Sequence, residues 1–205
     1  MLPKEIEKKI IVSEDVFNRY LSDLMGAKEV KQVDTYFDSE SFDLGMKGES
    51  LRIRDVVTEG ISKITYKYPV GSESSLFIRE ETEICLPPQT KEDKAVLMGV
   101  FKKLGIETDI ETPDRRKAEE ALKRAYNMVG TVEKNGYRFW RGDTKIALDV
   151  TTFRTAISEK TVYIIEIEGA KDQIEMEYRK LVDTYGNIGS IEVSEKNNYQ
   201  MLLSM

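Results

Sequence analysis

Two rhythms alternate along this chain: short runs with every second residue apolar, and longer ones with apolar residues every three or four positions. Residues 5–12 alternate charge with Ile and predict a strand. Ser13 then reads as the N-cap of a helix with Val16, Phe17, Tyr20, Leu21 and Leu24 on one face, closed by Gly26. Residues 33–84 contain several strand-like runs, broken by turn signals at Leu44-Gly45, Glu59-Gly60 and Val70-Gly71-Ser72. After Pro87-Pro88 the period lengthens. Val96, Leu97, Val100, Phe101 and Leu104 predict a helix stopped by Gly105, and Ala118, Ala121, Leu122 and Ala125 predict another beginning near Pro113. Strand character returns at 131–140, 145–151 and 162–168. A helix over 171–185 is expected to bury Ile174, Tyr178, Leu181 and Val182, and Ser194 to cap a short last helix ending at Leu203. Short connections between strands, with helices inserted, predict an α+β fold rather than a βαβ sheet. With no repeat and no long linker, residues 1–205 read as a single domain.

The charges fall on the strands in a particular way. Residues two apart on a strand share a face, so Glu5, Glu7 and Lys9 project together, with Ile6 opposite. Arg52 and Arg54 form a second row, Lys63, Thr65 and Lys67 a third, and Arg79, Glu81 and Glu83 a fourth. Lys134 with Arg138, Lys145 with Asp149, and Glu166 with Glu168 complete the set. One such row is the ordinary solvated face of an antiparallel sheet. The whole set is different, because adjacent like charges such as Glu5/Glu7 and Glu166/Glu168 repel unless a cation or base lies between them. A closed barrel offers another destination: a charged lumen, with the apolar faces packed outward under helices. Clustered acids and bases together suit a polyanion carrying a divalent metal, carboxylates holding the cation and Arg and Lys the phosphate oxygens. Glu175/Glu177 and Asp109/Glu111 repeat the Glu-x-Glu or Asp-x-Glu spacing outside strands, and are expected to be surface charges.

Composition narrows the chemistry. The 205 residues include 31 Lys+Arg, 37 Asp+Glu and no His. Every mechanism that depends on histidine is therefore excluded. A formal charge of −6 argues against a general nucleic-acid binder but not against a local basic pocket. Cys85 is the single cysteine, which excludes an intrachain disulfide and predicts an inert, half-buried strand residue. Tyr36, Phe37, Phe139 and Trp140 are expected to pack in the core or on the barrel exterior rather than stack on a base. No apolar run suggests a signal peptide or a spanning helix, so the expected compartment is the cytoplasm, without membrane or nucleic-acid partners.

Glu5-Ile6-Glu7-Lys8-Lys9 resembles the Glu-x-Glu-x-Lys signature of the CYTH superfamily, the triphosphate tunnel metalloenzymes. The likeness continues in order through Tyr36-Phe37-Asp38, Leu51-Arg52-Ile53-Arg54, Ile64-Thr65-Tyr66-Lys67 and Arg79-Glu80-Glu81-Thr82-Glu83. It resumes at Val132-Glu133-Lys134, Gly142-Asp143, Ala147-Leu148-Asp149 and Ile165-Glu166-Ile167-Glu168, ending near Asn198-Tyr199. The resemblance implies an eight-stranded antiparallel β-barrel forming a tunnel, with helices packed outside, that binds a small-molecule triphosphate with Mg²⁺ or Mn²⁺. It implies Glu5, Glu7, Glu166 and Glu168 as metal carboxylates, with Glu81, Glu83 and Asp149 as supporting or second-metal groups. Lys9, Arg52, Arg54, Lys67, Arg79, Lys134 and Lys196 would grip phosphate, and Glu5, Glu7, Lys9 and Lys67 would act at the reacting group. The chain departs from the pattern at Gly136, where many relatives have Arg; Arg138, on the same strand face, is the candidate replacement. It departs again at Asn198, where Ser is common.

A metal-dependent triphosphatase is the simplest expectation, acting on tripolyphosphate, thiamine triphosphate or a nucleoside triphosphate. Class IV adenylyl cyclase, making cyclic AMP from ATP, is the alternative within the same resemblance. A non-catalytic polyphosphate or nucleotide sensor is the alternative outside enzymes, and a homodimer is left open.

Overall fold

The computed structural model describes residues 4–73, 76–107 and 112–205. Asp109 and Glu111 lie outside them. The chain runs β1 (Lys4–Val12), α1 (Glu14–Ser22), β2 (Lys28–Asp38), α2 (Asp43–Met46), β3 (Ser50–Val56), β4 (Ile61–Glu73) and β5 (Leu76–Leu86). It continues through α3 (Lys91–Lys103), α4 (Arg115–Ala125), β6 (Asn127–Arg141), β7 (Thr144–Arg154), β8 (Glu159–Glu168), α5 (Lys171–Tyr185), β9 (Ile191–Val193) and α6 (Asn198–Leu203). The strands pair in the order β5-β4-β3-β2-β6-β7-β8-β1, all antiparallel, and β1 pairs again with β5. That last pairing closes an eight-stranded barrel, with the short β9 added along the far half of β1.

Alternation then decides what faces where. Ile10, Ile146, Leu148, Ile165 and Ile167 point out of the barrel and pack beneath α1 and α5 on Val16, Phe17, Ile174 and Leu181. On the other flank, Phe37, Leu51, Ile53, Ile64 and Ile84 pack beneath α3 and α4 on Leu97, Phe101, Ala118 and Leu122. The hydrophobic cores thus lie outside the barrel wall, between strands and helices. A third cluster is internal: Tyr36, Val132, Phe153 and Ile164 meet Tyr199 and Leu202 of α6, which closes one end.

Ser13 caps α1 by accepting from Val16 N, and the α5 bounds match the periodicity. Several local expectations are corrected. Leu44-Gly45 is not a bare turn but lies in α2, whose Leu44 and Gly45 amides donate to the buried Asp38 carboxylate at 2.9 Å each. Residues 70–72 do not break the chain into separate strands; β4 runs on to Glu73 with a register shift between Pro69 and Gly71. The last helix is capped by Asn197 in a reciprocal box with Gln200, while Ser194 instead bonds the backbone of Lys196. Val182 is exposed on α5, and Glu177 is buried, held by Arg141 and by Lys180 at 3.2 Å. An i, i+2 pair on a helix splits between faces: Glu175 reaches Lys8 at 2.5 Å while Glu177 turns inward toward the barrel wall. No helix among the described residues is long and apolar enough to cross a membrane.

Candidate functional site

The inward faces of the strands form one cavity. β1 supplies Glu5, Glu7 and Lys9; β3 supplies Arg52 and Arg54; β4 and β5 supply Lys67 and Arg79. Lys134 and Arg138 come from β6, Lys145 from β7, and Glu166 and Glu168 from β8. These residues lie here because the apolar partners between them are drawn out under the helices, which fixes the strand register by its hydrophobic face. Exposure on β6 rises along the row, from 2% at Lys134 to 8% at Arg138 and 53% at Trp140. The tunnel is therefore open at the Trp140 end and closed at the α6 end.

Every one of the eight lining bases is held by a carboxylate. Lys67 Nζ donates to Glu5 Oε2 at 2.6 Å, and Arg79 to Glu7 Oε1 at 2.6 Å. Lys9 and Lys134 share Glu166, the latter at 2.8 Å, and Lys9 also donates to Asn198 Oδ1 at 2.8 Å. Lys145 meets Glu168 at 2.6 Å and Arg138 meets Asp149 Oδ1 at 2.7 Å. Arg54 grips Asp34 with two bonds, 2.7 and 2.8 Å, and Arg52 adds a third at 3.1 Å. Six carboxylates thus serve eight bases, an excess of two positive charges among these fourteen side chains.

Burial works against the charges of Glu166, Glu5, Asp34, Lys9 and Lys134, and at all but Lys9 their partners outweigh it. Burial pushes the Glu166 carboxyl up, yet Lys134 and Lys9 hold it well below the usual carboxylate range. Glu5 is likewise held below its ordinary value, burial and Glu81 being outweighed by Lys67 and Arg79. Asp34, fully buried, is held down by Arg52 and Arg54. At Lys9 burial wins: its ammonium is held below the ordinary lysine value although Glu166 and Glu7 favour the charge. Lys134 goes the other way, raised against burial by Glu166 and Asp149.

Most residues singled out from the sequence meet in this cavity, with four differences. Glu81 and Glu83 lie at its mouth, at 3.2 Å from Lys67 and 2.6 Å from Lys63 respectively. Asp149 sits behind the lining, fully buried under Arg138 and Lys134. Lys196 is not brought to the tunnel: it is exposed, and its ammonium donates to Ser204 Oγ at 2.8 Å. Gly136 cannot carry a side chain, because a Cβ would stand 1.8 Å from Leu148 O and 2.6 Å from Asp149 Oδ1. The Asp149 carboxylate fills that space and takes hold of Arg138, so position 138 supplies the guanidinium on this face.

Sequence reasoning missed Asp34, Gln32 and Ser50. Asp34 shares an inward row with Gln32 and Tyr36, and the alternation of residues 32–36 was the signal that could have found it. Asn198 was marked only through the resemblance, since α6 reaches the tunnel through tertiary folding rather than strand alternation. Cys85 is half-buried on β5, and Phe37 and Phe139 pack outward as expected. Tyr36 is buried as expected, stacked on Tyr199 at 5.1 Å, but its hydroxyl also accepts from Arg52 at 3.2 Å in the cavity. Trp140 packs in neither core nor exterior; it stands at the open mouth.

Among the described residues no three carboxylates converge into a ready-made cation cage. The donor set still fits a hard divalent cation in kind. Glu7 lies directly opposite Glu168 across β1 and β8, and Glu5 follows on the same face, giving adjacent oxygen donors. Lysine and arginine side chains pair with those oxygens. The residues suit a cation bound together with a polyanion that draws the bases away.

The family model described as the CYTH domain matches residues 3–197. No curated protein matches the sequence significantly. The fold is similar to that of a candidate adenylyl cyclase from Hippeastrum with a dominant triphosphatase activity (20% identity, 98% of this chain and 95% of that one, TM-score 0.64). It is also similar to a candidate adenylate cyclase from Bacillus halodurans (22% identity, 97% of both chains, TM-score 0.61). A third likeness is to a Pyrococcus horikoshii protein (18% identity, 98% of both chains, TM-score 0.59).

Proposed function

The chain belongs to the CYTH domain family, and on that premise we propose that it is a phosphohydrolase acting on a triphosphate, with Mg²⁺ or Mn²⁺ as cofactor. One observation carries the reading: eight bases line the tunnel of the closed barrel, each parked on a carboxylate. The triphosphatase activity of the Hippeastrum protein of the same fold agrees with it.

The ion pairs hold the tunnel together and can be exchanged. Buried Lys and Arg cannot stay unpaired without a desolvation penalty of several kcal/mol per ion. A triphosphate offers them a denser set of charged acceptors, and Arg52, Arg54 and Arg79 suit phosphate through paired N–H donors. Lys9 and Lys67, compact ammonium groups, donate to single phosphate oxygens. As Arg79 and Lys67 turn to the anion, the Glu7 and Glu5 carboxylates are released. Glu5, Glu7, Glu166 and Glu168 would hold the cation, which would supply charge neutralisation along the phosphate chain. Glu7 or Glu5 accepts a hydrogen bond from the attacking water through a carboxylate oxygen. Phosphoryl-transfer transition states spread charge over equatorial oxygens, so a fixed array of donors in a water-poor tunnel accelerates the step chiefly by position and electrostatics.

The test is a product assay with tripolyphosphate, thiamine triphosphate and ATP, each with Mg²⁺ and Mn²⁺. Orthophosphate release that depends on the cation supports the proposal. Cyclic AMP with pyrophosphate from ATP makes the protein a cyclase, and tight binding without turnover makes it a sensor.

A further inference from the structure

Buried polar atoms without a partner are rare in a folded chain, and each needs a physical reason. Among the described residues, four buried side-chain atoms make no hydrogen bond: Arg52 Nε, Arg79 Nε, Asp149 Oδ2 and Thr151 Oγ1. The two arginines line the tunnel, and their spare N–H groups suit a bound anion. The other two atoms lie behind the lining, two residues apart on the inward face of β7, both residues fully buried. Lys134 stands directly opposite Thr151 across β6 and β7. Its Nζ donates to Glu166 Oε2 at 2.8 Å and stands 3.6 Å from Asp149 Oδ2, just outside hydrogen-bond reach. Asp149 Oδ1 accepts from Arg138 at 2.7 Å. A hydroxyl and a carboxylate oxygen, both spare acceptors, thus flank a lysine that is held elsewhere.

We propose that Asp149 Oδ2 and Thr151 Oγ1 form a second seat for the Lys134 ammonium, and that its move between seats couples cation binding to anion binding. This rests on the reading of the tunnel as a triphosphate site and adds how its two ligands cooperate. The driving force is the charge balance around Asp149. A fully buried carboxylate that loses its base is strongly destabilised. When Arg138 turns to the anion, Lys134 is the base within reach of Asp149. Taking that seat, it leaves Glu166 to Lys9 and Asn198, with Oε2 open to a cation. The reverse also holds. With Glu166 committed to a cation, Lys134 would lose its first seat, move to Asp149 and free Arg138 for the anion. Each ligand therefore strengthens the other by the same factor. Lys134 serves as a counter-charge that moves, and Thr151 as a positioning residue whose hydroxyl oxygen accepts one N–H of the ammonium.

The experiment is calorimetric titration with inorganic tripolyphosphate, once in EDTA and once in excess Mg²⁺, on the wild type, Thr151→Val and Thr151→Ser. Comparing the proteins within one condition cancels the binding of Mg²⁺ to the anion in solution. The wild type should bind more tightly with Mg²⁺. Thr151→Val keeps the side-chain shape and loses the hydroxyl. It should cut the Mg²⁺ enhancement about tenfold, the scale of a hydrogen bond to a charged group. Affinity in EDTA, where Lys134 can stay on Glu166, should be unchanged, and Thr151→Ser should restore most of the enhancement. Without ligand, Thr151→Val should melt at or above the wild-type temperature, since an unpartnered buried hydroxyl contributes no bond. A Thr151→Val protein that melts well below the wild type, an enhancement left intact, equal weakening with and without Mg²⁺, or no rescue by Thr151→Ser overturns the second seat and leaves the tunnel reading standing. A wild type that gains nothing from Mg²⁺ does the same. No tripolyphosphate binding in either condition overturns the tunnel reading, and the second seat with it.

Discussion

The two ends of the barrel are built from the same strands and solve opposite problems. At the α6 end the inward positions are Tyr36, Val132, Phe153 and Ile164, all buried, and Tyr199 and Leu202 pack down on them. At the other end the inward positions are Lys28, Glu81, Glu83, Lys145 and Trp140, all reaching solvent to some degree. Between them lie the other seven lining bases and their carboxylates. The difference shows that one period-2 pattern can yield a plug, a charged sleeve and a wet rim, depending on how far along the strand each residue stands. Apolar burial at the plug stabilises the fold, and ion pairing in the sleeve is what the proposed triphosphate would exchange.

The largest expected effect strikes the plug. Tyr199→Ala removes a buried ring stacked on Tyr36 and a hydroxyl that donates to Asp38 at 2.6 Å. Chemical denaturation should show a loss of about 3–5 kcal/mol, the range for emptying an aromatic site in a core. If stability is retained, α6 does not close the barrel in solution. The sleeve comes next: Arg52→Ala should weaken tripolyphosphate binding by about 1.5–3 kcal/mol, as for a hydrogen bond to a charged group, read by calorimetry. Unchanged affinity would place the anion elsewhere.

A subtler comparison uses pH. Glu166 and Asp34 are held below their ordinary values of 4.5 and 3.8. The unfolded chain takes up protons near those values while the native carboxylates stay ionised, so the stability they confer is complete above them. It is lost as pH falls through the lower native values. Thermal melts of the metal-free protein should therefore drop steeply on acidification. Glu166→Gln should flatten part of that slope, and an identical slope would mean that Glu166 titrates normally. The smallest effect belongs to Lys196→Ala, which should leave tripolyphosphate affinity within about 0.5 kcal/mol, as expected of an exposed residue outside the sleeve.

Much of this was legible in the chain because alternation carries direct physical information. Charges at 5, 7 and 9 or 52 and 54 must share a face, and the Ile and Leu between them must be buried on the other. What alternation cannot give is the cross-strand register. Asp34 holds two arginines because β2 pairs with β3 at Asp34 opposite Arg54, and Gly136 is forced because it lies opposite Asp149. Trp140 read as packing because its distance from the barrel end is invisible in one dimension. Glu177 read as solvated because a lone helix does not reveal that Arg141 waits across the interface. Lys196 falls outside the tunnel for a similar reason: the chain between β9 and α6 turns Asn197 and Asn198 inward instead.

Closure by α6 also governs traffic. A sleeve sealed at one end is a cul-de-sac, in which whatever goes in first comes out last. A linear anion must enter by one tip, so the deepest group is always a chain terminus and never an internal link. Under the proposed hydrolysis, a fragment severed at the deep end would wait behind the remainder until that departs. Molecules that thread a through-channel leave in the order they arrive; here the order is reversed.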